Sequence, residues 1–145
     1  MGLFALLTII ISWPVVIRID EVLIGSDRDT NINPWADWWS EKAWQDPDIS
    51  LYETDYMFYP EGANLVYHSF SHLNTIISLT LRPMLGILPA YNVTMLLNLF
   101  LAGVAMCHLA RYLTGSTTAG IVAGVIFAFN SYEVYQTAHP VLVTI

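Results

Sequence analysis

The chain has 145 residues, 55% of them hydrophobic and 12% charged, and a formal net charge of −7. With a positive mean hydropathy, that composition exceeds what a soluble globule of this size carries and points to a polytopic membrane protein. Five scattered basic residues form no patch, which removes the electrostatic basis for binding a nucleic-acid backbone.

The first uncharged run, Met1 to Ile17, predicts a transmembrane helix over residues 1–19. At about 1.5 Å per residue it nearly crosses a hydrocarbon core of roughly 30 Å. No Lys or Arg precedes the run and no small-residue cleavage pattern follows it, so a retained helix is expected rather than a cleaved signal peptide. Pro14 lies near the outer end, where a missing backbone donor is tolerated.

Residues 20–63 read as a large outward loop, acidic and rich in Trp and Tyr; every acidic residue of the chain except Glu133 lies in it. Asn33-Pro34, Asp46-Pro47-Asp48 and Tyr59-Pro60-Glu61-Gly62 punctuate it. Pro34 is placed to begin a short helix, WADWWSEKAWQ, whose Trp35, Trp38, Trp39 and Trp44 can share a broad face along the membrane interface.

Residues 64–88 are amphipathic, with Asn64, His68, His72 and Asn74 at their start and Arg82-Pro83 near their end, and are expected to form an interfacial or re-entrant helix. Residues 89–112 and 117–132 predict two further transmembrane helices, and the turn Thr114-Gly115-Ser116 between them predicts an antiparallel pair. Gly103, Gly120 and Gly124 read as helix-packing surfaces, and Cys107 as a small buried hydrophobe. Residues 133–145 begin the next outward loop, and the ending HPVLVTI reads as the front part of a longer protein. Arg111 beside the short turn favours a cytoplasmic turn, which with a cytoplasmic N-terminus puts the acidic loop on the outer face of the cell membrane.

Two constellations carry candidate chemistry. Asp27 and Asp29 stand one residue apart and can share a cation or raise one another's proton affinity. General base, metal ligand and plain solvated loop acids beside Arg28 all fit that local pattern. The second, YETDYMFYPEGANLVYHS, holds Glu53, Asp55, Glu61 and His68 among four tyrosines, Tyr59 included. Such a floor can stack on sugars or rest at headgroups. His68 and His72, at i and i+4 on a possible helix face, lack a third metal ligand. Arg82 borders an apolar stretch and can snorkel. His139, in YQTAHP, would lie on the outer face and could approach the acidic loop. Asn92-Val-Thr94 matches a glycosylation sequon at a membrane entrance and carries no weight there.

In order, SWPVVIRID, SDRDT, PWADWWSEKAW, TDYMFYPEGANLVYHS, AYNVTMLLNLFLAGVAMCHLARYLTG and AGVIFAFNSY resemble the prokaryotic GT-C-fold membrane glycosyltransferases, which use lipid-linked sugars. The resemblance implies an all-α integral membrane protein, its N-terminal part holding about three spanning helices and a loop with short interfacial helices. It implies transfer of a sugar from a polyprenyl-phosphate donor to an outward-facing saccharide, lipid or protein acceptor, usually with inversion. Asp29 stands at the position resembling the family's essential acid. Arg28 replaces a glycine common in relatives, which leaves the role of base between Asp29 and Asp27. Asp55 is next, for acceptor binding or metal coordination, and Arg28 or Arg82 could stabilise the leaving phosphate. No cofactor is required by the pattern; a divalent metal held by Asp27 and Asp29 is compatible with it. The family has many more helices than these, so this piece alone is expected to lack activity. The competing class is a non-enzymatic membrane subunit or scaffold, or the front part of a transporter. The spanning segments lack the mid-membrane ionisable groups of a transport path, whereas a Trp-rich loop would serve assembly equally well.

Overall fold

The computed structural model describes residues 1–25 and 28–139, and the chain is mostly helical. Its first apolar run forms α1, Gly2–Ile11. The helix expected over 1–19 ends early because the ring of Pro14 disfavours helical backbone in the residue before it. The Ser12 hydroxyl instead donates to the Ile9 carbonyl oxygen, and a single 3-10 turn, Val15–Ile17, follows.

A 3-10 turn at Arg28–Asn31 leads into α2, Ile32–Gln45. This helix starts two residues before Pro34, which leaves the proline in the first turn, where no intrahelical partner is needed for its nitrogen. Beyond it, β1 (Glu53–Thr54) pairs antiparallel with β2 (Ala63–Asn64), Glu53 opposite Asn64 and Thr54 opposite Ala63. The turn between them needs Gly62, whose φ is 75° and where an added Cβ would sit 2.8 Å from the Thr54 carbonyl oxygen.

The segment 64–88 is helical only in its second part, α3, His72–Leu85. Its first part is β2 and a turn, so His68 and His72 do not share a helix face. After Gly86 the chain enters α4, Ile87–Thr114, 28 residues long. Among the described residues α4 alone is long and apolar enough to cross a membrane. The return helix α5, Thr117–Ala128, has 12 residues and stops short of the expected 132. Asn130 ends it: its side-chain oxygen Oδ1 accepts from the Tyr132 and Glu133 backbone N–H groups and caps a new short helix, α6, Ser131–Tyr135. A 3-10 turn, Gln136–Ala138, follows.

The predicted antiparallel pair is present. Gly115 closes α4 in the left-handed region and Ser116 caps α5 through the Ala119 N–H. The two helices meet through glycine: a Cβ on Gly120 would lie 2.6 Å from the Cys107 carbonyl oxygen, and one on Gly124 would lie 2.5 Å from that of Gly103. Phe4 of α1 wedges against Gly103 and Gly124 and stacks on Phe129 at 6.4 Å. Nearer the loop, Ile24, Tyr91, Met95 and Leu99 form the buried apolar cluster.

Candidate functional site

The approach to the aspartate pair is held by Asn92, which is wholly buried in α4. Its side-chain oxygen accepts from the Ile24 N–H at 2.8 Å, while its nitrogen donates to the carbonyl oxygens of Ile19 at 2.7 Å and Val22 at 2.8 Å. One amide thus satisfies three backbone groups of the 19–24 segment, and Asn92 is a clamp rather than a glycosylation site. Asp27 lies outside the described residues, as do the side chains of Arg28 and Asp29. Asp29 itself belongs to the 3-10 turn that opens onto α2.

Behind that turn, α2, α3 and α4 enclose a polar node centred on Asp37, which is 6% exposed. The Thr75 hydroxyl donates to its Oδ1 at 2.6 Å. Ser78 faces the same carboxylate, and the buried Tyr91 phenol lies beside it and Asn33. Burial pushes the Asp37 carboxyl up from its ordinary value, opposed by the Thr75 and Ser78 hydroxyls and by the Arg82 guanidinium. One turn along α2, Glu41 pairs with Arg82 Nη1. Arg82 is therefore buried and neutralised inside the fold: it neither snorkels nor presents a free cation to a leaving phosphate. Asn98 donates to Asn74 at 2.8 Å and adds a second polar tie between α3 and α4.

The tryptophan helix differs from the expected row of interfacial anchors. Trp39 is 2% exposed, stacks on Trp35 at 6.0 Å, and donates its indole N–H to the Leu51 carbonyl oxygen. Trp38 meets the Tyr56 ring edge-on at 5.5 Å. Trp44 alone among these indoles is largely exposed, at 74%. The cause is tertiary, because the loop after α2 folds back and covers the indole face. His68 joins this cluster, half-buried between Trp35 and Phe70, and burial holds its imidazole below its ordinary value.

An open cavity of about 770 Å³ lies over the two-stranded ladder. Asp48, Glu53, Asp55 and Glu61 line it, with Lys42, whose ammonium donates to the Tyr56 hydroxyl at 2.6 Å and sits 4.6 Å from that ring's centre. The structure thus gathers Asp55 and Glu61, keeps Tyr59 exposed outside the lining, and buries Arg82 elsewhere. Among the described residues no three His, Cys, Asp or Glu side chains come close enough to hold a metal ion. His139 follows the 3-10 turn after α6; two residues before it, Thr137 lines a cavity of about 190 Å³ together with Ile24 and Gly25. Its segment therefore abuts the strand of loop that leads to Asp27.

Asp37 and Asn92 are the residues that sequence reading passed over. A signal existed: Thr75, Ser78 and Arg82 recur at helical spacing, as do Asn33, Asp37 and Glu41, which marks two polar stripes able to face each other. Asn92 offered none, because its partners lie about seventy residues away. No family model, curated protein or solved structure matches the chain.

Proposed function

We propose that the chain is the N-terminal part of a membrane glycosyltransferase of GT-C-like architecture with several spanning helices. In this reading it transfers a sugar from a polyprenyl-phosphate-linked donor to an outward-facing acceptor. Asp29 or Asp27 takes the acceptor proton as general base, which requires hydrogen-bond reach to the hydroxyl and a pKa suited to the task. The open cleft bearing Asp55 and Glu61 takes the acceptor, since carboxylates beside Trp39 and Tyr56 suit the hydroxyls and apolar faces of a sugar. With Arg82 paired to Glu41, the leaving phosphate is met by Arg28, by His139 or by residues of the remaining helices.

The observation that carries the reading is the Asn92 clamp. It ties Ile19, Val22 and Ile24, just before the Asp27–Asp29 stretch, to the first turns of α4, the one helix among the described residues long and apolar enough to cross a membrane, and so supports a reading in which the two acids stand at a membrane boundary. A lipid-linked substrate presents its reacting group at that depth.

The test uses the full-length protein in membranes and follows sugar transfer from a lipid-linked donor. Asp29→Asn is expected to abolish transfer, a fall of about 10² or more for loss of a general base. Asp27→Asn with an equal fall would assign a shared site, and unchanged transfer in both would overturn the reading. Asn92→Ala, which frees the loop without touching its carboxylates, is expected to lower transfer while the membrane-inserted amount stays constant. The competing reading, a non-enzymatic subunit, draws on the exposure of Phe58, Tyr59 and Tyr67 around the loop; it predicts that the two Asn variants lose a binding partner rather than turnover.

A further inference from the structure

The polarity of α3 is inverted. Its buried residues, Asn74, Thr75, Ser78 and Arg82, are all polar, whereas Leu73, Ile76, Met84 and Leu85 are exposed. A surface helix in water does the reverse. The exposed apolar stripe reaches the end of α3 and continues at Ile87, the first residue of the membrane-crossing helix.

Along the seam of α2 and α3 lies a cavity of about 580 Å³, its walls formed chiefly by Ala43, Trp44, Ile76 and Leu79, with Tyr52 and His72 supplying polar groups. A second cavity of about 260 Å³ shares Trp44, Ile76 and Leu79 with it, so the two make one groove. The larger cavity has the size and the mostly apolar lining of a small-molecule site. The one charged residue on its walls among those described is Glu41, already paired with Arg82.

We propose that this groove holds one acyl chain of a bilayer glycerophospholipid, drawn from the lipid around α4, with the ester region at Tyr52 and His72. Continuity with α4 says what covers the groove: apart from the exposed Thr80, its border runs from Ile76 and Leu79 through Pro83, Met84 and Leu85 to Ile87, the start of the described helix long and apolar enough to lie in hydrocarbon. Trp44 and Tyr52, both exposed on the groove wall, have the amphipathic rings that rest at headgroup depth. Filling the groove with a hydrocarbon chain removes from water the apolar surface of its walls. The inference rests on the membrane placement of α4 and not on sugar transfer.

The experiment places the full chain in phosphatidylcholine vesicles with a trace of phosphatidylcholine bearing a mid-chain diazirine, followed by irradiation and mapping of the adducts by mass spectrometry. Adducts are expected on Ile76 and Leu79 as well as on the exposed Leu101 and Leu109 of α4. Ala43→Trp, which fills the groove, is expected to reduce the first pair severalfold and leave the α4 pair unchanged. Ala43→Leu serves in its place if the larger residue also removes the α4 adducts and so reports misfolding. Labelling of α4 with a silent groove would overturn the proposal, as would groove labelling indifferent to both fillers. Loss of adducts from α4 and groove alike in the wild-type chain would overturn the membrane placement with it, while the sugar-transfer assay stands apart.

Discussion

Between α4 and α5 contact is made by backbone: Gly120 and Gly124 bring the helices so close that one added carbon would strike a carbonyl oxygen. Between α2 and α3 contact is made by polar side chains, through the Thr75 to Asp37 hydrogen bond and the Glu41–Arg82 pair. Both layers leave apolar residues on the outside, Ile121, Val122, Ile126 and Phe127 on α5 and Leu73, Ile76 and Met84 on α3. On the membrane placement proposed above, the difference teaches where specificity comes from when hydrocarbon surrounds a fold. Apolar surface then rewards no particular partner, so helices associate either by close van der Waals approach of small residues or by polar groups that have nowhere else to be satisfied. The layer that carries the candidate site uses the second device.

That contrast can be broken at its polar end most severely. Glu41→Gln leaves the Arg82 guanidinium buried without its carboxylate, and a loss of about 3 kcal/mol is expected in unfolding from mild detergent. A loss below about 1 kcal/mol would mean that Asp37 takes over the charge. In the glycine layer, Gly124→Val should cost about 2 kcal/mol, the range of overpacking, with the α4–α5 pair forced apart against Gly103 and Phe4. Its effect is expected to ignore ionic strength.

The smallest effect is one of slope. Because burial raises the Asp37 carboxyl, the folded chain keeps that proton over a pH interval in which the unfolded chain has released it. The contribution of this group to stability is therefore full below the ordinary carboxylate pKa of about 4, declines as pH rises toward the raised value, and is level above it. Asp37→Asn is expected to remove that decline. A slope unchanged in the variant would assign the titration to another group.

Much of the helical frame was legible because it depends on neighbours in the chain. The long apolar run with glycine at both ends, the Gly115 turn with its serine cap, and the small-residue packing of Gly103, Gly120 and Gly124 all follow from local spacing. Helix ends were misjudged where one side chain competes with continuation, as Asn130 does after Ala128, or where Pro14 bars it. The acids of the loop were visible as a class but not as individuals. Asp37 looked like any other carboxylate of the acidic segment, yet among the described residues it is the one that three helices bury. Glu53 and Glu61, eight residues apart, share one cleft with Asp55 only because β1 and β2 pair.

By itself the sequence determined the long apolar run that becomes α4, the confinement of acidity to one segment and the antiparallel α4–α5 pair, since composition and short-range periodicity encode these. The tertiary structure alone decided that Arg82 is spent on Glu41, that Trp39 is core and Trp44 surface, and that Asn92 holds the loop rather than a glycan. The reason is physical. A side chain's spacing says which face of its own helix it occupies, but the partner that satisfies its charge or hydrogen bond is chosen by packing between distant segments, 41 residues apart for Arg82 and Glu41 and 73 apart for Asn92 and Ile19.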